Sequence, residues 1–180
     1  MSWNAEIDEL NRRISLAYAM GGPEKIKRQH DAGRLTIRER IDAILAPDSF
    51  HEIGAISGKS EYGPDGKLKS FRPSNCIFGR GRIDERNVVL VGDDFTVRGG
   101  AADATIHEKQ IAAEQMAYEL NLPVVRLVEG TGGGGSVKSL ETDGYTYVPG
   151  NPGWDWVVAN MGQVPVVALA LGPVAGLGAA

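Results

Sequence analysis

Two apolar runs in this sequence end in clusters of glycine: Val124-Val-Arg-Leu-Val-Glu-Gly-Thr-Gly-Gly-Gly-Gly135 and Val166-Val-Ala-Leu-Ala-Leu-Gly-Pro-Val-Ala-Gly-Leu-Gly178. Glycine lets a backbone come close to a ligand, and a helix starting just past such a turn leaves N–H groups aimed at negative charge. The chemistry this allows is the binding of an oxyanion by main-chain amides. Tight turning accounts for either loop taken alone, whereas two in succession favour a ligand. Glu129, the carboxylate at the mouth of the first loop, either orients a ligand or caps a neighbouring helix.

Other chemistries fit less well. A phosphate-binding P-loop needs lysine directly after its second glycine, but Ser136 follows Gly135 and Lys138 comes two residues late. Gly130, Gly132 and Gly135 match a dinucleotide fingerprint, with Asp155 twenty residues further on. The helix that this fingerprint requires is missing, because Gly, Tyr, Pro and Asn between Asp143 and Pro152 cannot continue one. His30, His51 and His107 are scattered outside both loops, and the latter two read as surface or packed residues. A single cysteine, Cys76, excludes a disulfide framework and a multi-cysteine metal site; beside Ile77 and Phe78 it reads as a buried thiol.

The elements that must position the glycine loops follow from periodicity. Trp3, Ile7, Leu10, Ile14 and Ala17 predict an amphipathic helix ending near Gly21 and Gly22, its stripe facing its own domain or a second subunit. Pro23 suits the first turn of another helix. Thr36 and Glu39 have capping-box spacing, predicting a helix from Thr36 to Leu45 with Ile37, Ile41, Ile44 and Leu45 on its apolar face. Arg38 and Arg40 then flank Glu39 on a solvated surface. Short strands are expected at Phe50–Ile56, Asn75–Ile83 and Asn87–Val91, with Tyr62–Pro73 a polar loop. A helix from Ala101 to Leu120, a strand from Pro123 to Val128, a helix from Trp154 to Met161 and a strand from Val164 to Leu171 complete the pattern. Such alternation implies an α/β layer fold with right-handed crossovers and a ligand beyond the carboxyl ends of the strands.

Composition narrows the class. At 180 residues, 42% hydrophobic and 23% charged, the chain suits one soluble globular domain. A net charge of −4 and a pI near 5.4 argue against duplex nucleic-acid binding. No run is long enough to span a bilayer and no secretory signal opens the chain, so cytoplasm is the default location. The chain stops at Leu-Gly-Ala-Ala, after a strand and a glycine turn where a helix is expected, and so reads as truncated. Val164–Leu171 then exposes an apolar strand edge, an aggregation hazard.

Three blocks resemble the carboxyltransferase β subunits of propionyl-CoA, methylcrotonyl-CoA and related biotin-dependent acyl-CoA carboxylases. They are Gly33-Arg-Leu-Thr-Ile-Arg-Glu-Arg-Ile through Phe50-His-Glu-Ile53, then Gly92-Asp-Asp-Phe-Thr-Val-Arg-Gly-Gly-Ala101, and finally Gly172-Pro-Val-Ala-Gly-Leu-Gly178. The likeness runs in order from about Ala32 to Ala180 and covers the N-terminal portion of that family. It implies an α/β, crotonase-like fold of stacked ββα units: a helical segment, residues 1–46, and a partial acyl-CoA-binding carboxyltransferase domain, residues 47–180.

What the resemblance implies chemically is transfer of a carboxyl group from carboxybiotin to the α-carbon of an acyl-CoA. Release of CO₂ leaves a biotin anion able to take the α-proton, so the protein's task is to stabilise the thioester oxyanion. Carried over by position, Gly176 and Leu177 present oxyanion N–H groups, with Gly132 and Gly133 in the facing loop. Phe95, Thr96, Arg98, Gly99 and Gly100 line the acyl-CoA pocket, Arg98 meeting a CoA phosphate or forming an internal salt bridge. Biotin comes on a partner subunit or domain, ATP and bicarbonate are used by the partner carboxylase, this chain holds no metal, and the β subunits form a homo-oligomer. A decarboxylase subunit running the chemistry backwards, and a non-catalytic CoA-binding or assembly subunit, remain alternatives. The facing loop reads Glu-Gly-Thr-Gly-Gly-Gly-Gly where the family usually has Asp-Ser-Gly-Gly-Ala, and Leu177 replaces a usual glycine, which leaves acyl-chain preference open.

Overall fold

The computed structural model describes residues 2–131, 140–141, 144–145, 150 and 153–176. Three helices come first: α1 (Asn4–Tyr18), α2 (Pro23–Asp31) and α3 (Ile37–Ile44). Strands β1 (His51–Ile53), β2 (Gly58–Tyr62), β3 (Leu68–Pro73), β4 (Cys76–Ile83) and β5 (Arg86–Asp93) follow. Helix α4 (His107–Leu120) leads to β6 (Val124–Thr131), and α5 (Trp154–Met161) to β7 (Val166–Ala175). Five strands form one sheet in the order β1-β4-β5-β6-β7, antiparallel from β1 to β5 and parallel from β5 to β7.

Successive side chains of a strand face opposite ways, so each face of this sheet buries its own neighbours. Ile77, Val88, Leu90, Val125 and Leu127 pack against Ile37, Ile41 and Leu45 of α3 and its C-terminal end. On the other face Phe78, Val89 and Val124 meet Ala113 and Ala117, whose small side chains let α4 lie close. The sheet is thus the middle of three layers. Helix α3 is fixed at its start by the expected capping box: the Thr36 N–H donates to Glu39 Oε2 at 2.7 Å, and the Glu39 N–H returns to Thr36 Oγ1 at 3.4 Å.

Four local expectations are corrected. The stretch expected as a polar loop, Tyr62–Pro73, belongs with β2 to an antiparallel hairpin that pairs Ser60 with Phe71 and Glu61 with Ser70. Its strands carry too few apolar side chains for a period-two signal. What holds them is the Asp65-Gly66 turn and helix α1, from which Arg13 Nη1 donates to the Tyr62 hydroxyl at 3.2 Å and Arg12 Nη2 to the Leu68 carbonyl at 3.4 Å. The long helix begins at His107, because residues 101–105, which include the 3₁₀ turn Ala102–Ala104, are held by Asn75. Asn75 Nδ2 donates to the Ala101 carbonyl at 2.7 Å, its N–H to the Ala104 carbonyl at 3.3 Å, and Thr105 Oγ1 donates to its Oδ1 at 2.6 Å. Strand β7 runs on through Gly172 to Ala175, so there is no turn at Gly172. Arg40, expected at the surface, is buried.

Of the α1 stripe, Ala17 is buried while Trp3, Ile7 and Leu10 stay exposed. Among the described residues β7 is an edge strand, with Val167, Leu169 and Leu171 exposed, as the apolar run led one to expect. No helix among the described residues is long and apolar enough to cross a membrane.

The Asn75 contacts yield the first prediction. Asn75→Ala leaves the Ala101 carbonyl and the Thr105 hydroxyl without their partner; a loss of about 2 kcal/mol is expected in urea unfolding. A change below about 0.5 kcal/mol would remove Asn75 as the organiser of this segment.

Candidate active site

The three blocks of interest meet at the carboxyl ends of β5, β6 and β7. Asp93 ends β5 and opens the segment Asp94–Gly100; Glu129 and Gly130 lie near the end of β6; Gly172 and Gly176 bracket the end of β7. The segment after β5 is anchored first by Asp94, whose Oδ1 accepts the Thr96 N–H at 2.9 Å and the Thr96 hydroxyl at 2.5 Å. Burial raises the Asp94 carboxyl above its usual range, and the Thr96 bonds oppose that shift. Thr96 Oγ1 in turn accepts the Gly21 N–H at 2.9 Å, tying the segment to the turn between α1 and α2. A side chain at Gly21 would place Cβ 2.0 Å from the Thr96 carbonyl oxygen, so the closeness depends on glycine.

Arg98, Gly99 and Gly100 then take left-handed backbone angles in succession, φ +57, +63 and +69. For Arg98 this conformation is strained. The reversal lays Gly100 directly on β6: a Cβ there would sit 2.5 Å from the Glu129 carbonyl oxygen and 2.8 Å from the Gly130 Cα. Two predicted blocks thereby touch through backbone alone. Gly130 and Thr131 pair with Val174 and Ala175 of β7, which brings in the third, ending at Gly176. Gly176 is left-handed at φ +61, and among the described residues nothing lies within 4 Å of where its Cβ would be.

The junction is organised by the side chain of Glu129, which is 1% exposed. Gln29 Nε2 donates to both of its oxygens at 2.9 Å. Arg34 Nε lies 3.2 Å from Oε1 and Arg40 Nη1 2.6 Å from Oε2, the latter held by charge rather than by an aligned hydrogen bond. The Arg34 guanidinium also covers the Phe95 ring at 5.7 Å. Among the described residues Glu129 caps no helix. Its N–H donates to Asp93 Oδ2 at 3.2 Å, and burial raises the Asp93 carboxyl to about 6, a shift that the Glu129 amide opposes and the Glu129 carboxylate adds to.

Of the residues expected at the site, Phe95, Thr96, Arg98, Gly99, Gly100 and Gly176 are brought to one end of the sheet, with Thr96 buried and its hydroxyl engaged. Gly132, Gly133 and Leu177 lie outside the described residues. Sequence reasoning missed Gln29, Arg34, Arg40 and Asp93. For Arg40 the signal was present: it lies three residues after Ile37 and next to Ile41, on the buried face of α3. Arg38 lies on the other side, its Nη1 2.8 Å from Glu52 Oε2 and its guanidinium 3.7 Å over the Tyr18 ring. A cavity of about 420 Å³ opens at the opposite end of the sheet, among Asp48, His51, Arg80, Arg82 and Leu122. We place the site at the glycine ends instead, since backbone groups of three segments converge there.

Two outcomes test this geometry. Gly100→Ala, forced against Glu129 at a left-handed angle, is expected to cost about 2 kcal/mol by thermal unfolding. The second concerns pH. A folded carboxyl titrating near 6 and an unfolded one near 3.8 mean that protonated Asp93 stabilises the fold and that this stabilisation is lost as pH rises. Relative to Asp93→Asn, the protein is expected to lose about 3 kcal/mol between about pH 3.8 and pH 6 and to run parallel above that. A constant offset across the window contradicts the burial of that charge.

Known proteins resemble this chain over most of its length. Residues 28–179 match the carboxyl transferase domain family. The chain is 31% identical over 171 residues to a probable biotin-dependent acyl-coenzyme A carboxylase beta2 subunit of Mycobacterium tuberculosis, covering 94% of this chain and 30% of that protein. It is 32% identical over 175 residues to the mitochondrial propionyl-CoA carboxylase beta chain of Rattus norvegicus, covering 94% and 31%. Among solved structures, transcarboxylase 12S with hydrolysed methylmalonyl-coenzyme A bound superposes with a TM-score of 0.72 at 26% identity, covering 98% of this chain and 34% of that one. The chain thus spans about a third of the length of the proteins it matches. Its fold is the α/β, crotonase-like fold of these carboxyltransferases. With the match spanning most of its length, the chain belongs to the carboxyl transferase domain family.

Proposed function

We propose that this protein serves acyl-CoA carboxyl transfer as part of a biotin-dependent carboxyltransferase β subunit, holding the thioester oxyanion with main-chain N–H groups. The observation that carries the reading is the backbone-to-backbone convergence of Gly100, Gly130 and the end of β7. The likeness to carboxylase β chains and to a transcarboxylase supports the reaction class. Carboxybiotin, delivered by a biotin carrier and charged by a biotin carboxylase with ATP and bicarbonate, supplies the carboxyl group and the base that takes the α-proton.

The residues of this chain then have one task, to make the α-carbon acidic by stabilising the oxygen of the enolate. Gly176 and Leu177 form one set of donors and Gly132 and Gly133 the facing set. Glycine at 176 takes its left-handed angle without strain, and no described residue lies near where a Cβ would be. One such donor is worth a factor of about 10²–10³ in kcat. Phe95, Arg98, Gly99 and Gly100 line the acyl-CoA pocket, Arg98 meeting a CoA phosphate, while Thr96 serves by holding the segment in shape. Residues 1–46 act as a helical segment supporting the domain formed by 47–180. The assembly is a cytoplasmic homo-oligomer of β subunits that works with its biotin partner.

The test is carboxylation of acetyl-, propionyl- and longer acyl-CoAs by the natural protein with ATP, bicarbonate and its biotinylated partner, run in both directions. Carboxylated product that requires the partner is expected. Saturable acyl-CoA binding with no product in either direction sinks the catalytic reading in favour of a CoA-binding subunit, and net CO₂ release alone favours a decarboxylase.

A further inference from the structure

The register of β6 and β7 breaks at Glu129. Val128 pairs with Ala170, but the next rung joins Gly130 to Val174, so Leu171, Gly172 and Pro173 stand opposite the single residue Glu129. Pro173 has no N–H to contribute to a ladder, and the bulge leaves the Leu171 carbonyl to a side chain. Arg40 Nη2 donates to it at 3.2 Å. The same guanidinium lies 2.6 Å from Glu129 through Nη1. One buried arginine on α3 therefore holds the residue before the first glycine loop and the residue before Gly172. The Glu129 side chain fills the remaining gap, since a Cβ at Gly172 would fall 2.2 Å from its Oε1.

We infer that Arg40 is a positioning residue for carboxyl transfer: with Glu129 it clamps the ends of β6 and β7, from which the two glycine segments depart, at one separation. The planar guanidinium suits this task because it spans the two strand ends, its charge beside the carboxylate and its Nη2 donating to the carbonyl, whereas a lysine ammonium is a single point charge. Arg34 and Gln29 also grip Glu129, so the carboxylate stays neutralised when Arg40 is replaced and the fold has a route to survive. The catalytic half of this inference rests on the carboxyltransferase reading, and the clamp itself does not.

The experiment uses Arg40→Lys and Glu129→Gln in the natural protein with its biotinylated partner, followed by amide hydrogen exchange and by carboxylation kinetics. Exchange is expected to accelerate about tenfold or more, together, in Leu127–Thr131 and Leu171–Gly176 of both variants, while α4 and the β2–β3 hairpin keep their protection. In kinetics, kcat is expected to fall about 10²-fold, as a displacement near 1 Å does, with KM for acyl-CoA changing less than about threefold. Acceleration in one loop only, in neither, or equally throughout the chain overturns the clamp. Unchanged kcat, or a loss confined to KM, overturns the positioning role. If the unaltered protein forms no product, the carboxyltransferase reading falls, and the exchange data still decide whether Arg40 couples the loops.

Discussion

A carboxylate removed from water must be surrounded by compensating charge and hydrogen bonds, and Glu129 meets that demand with residues drawn from α2, from the connection to α3 and from α3 itself. Gln29, Arg34 and Arg40 all converge on it. Because Glu129 sits near the end of β6, satisfying its charge fixes the helical N-terminal segment against the parallel half of the sheet. The ion pairs are not simply an increment of stability, since apolar packing of equal volume often stabilises a core as much. What charge adds here is position: a guanidinium drawn to a carboxylate by charge while its Nη2 donates to a carbonyl admits few alternative arrangements.

The glycines follow from that arrangement. Gly172 makes room for the Glu129 side chain, Gly100 and Gly130 let two backbones touch, and Gly21 lets the α1–α2 turn rest on Thr96. Only some of these glycines were needed for unusual dihedral angles. Gly172 and Gly21 have no left-handed φ, so their requirement is one of space and comes from neighbours distant in the chain.

This divides what a sequence reader can and cannot see. Helix α3, with its capping box and apolar face, is encoded within a few residues and was legible, as were α5 and the apolar strands β4, β5 and β6, each to within about three residues. The β2–β3 hairpin was not, because its strands are stabilised by backbone pairing and by arginines of α1 rather than by a periodic apolar face. Nor was the late start of α4, where Asn75 takes the carbonyls of Ala101 and Ala104 and overrides the helix propensity of alanine. At the site, the glycine loops announced themselves by composition. The network that positions them did not, since Gln29 and Glu129 lie a hundred residues apart.

On the proposed reading, main-chain donors relieve side chains of direct chemistry and transfer selection to those that shape the backbone. The three histidines illustrate the first point: His30 pairs with Glu39 at 2.9 Å, His51 lines the cavity at the far end of the sheet, and His107 opens α4. Arg40 illustrates the second, buried and without aligned hydrogen bonds from its Nη1, yet joined to both strand ends. On this logic the choice of a glutamate at position 129 concerns packing before it concerns chemistry. That side chain requires the space that Gly172 leaves and the reach that Arg40 supplies, so these three residues form one unit. A change at one of them therefore alters what the other two must do.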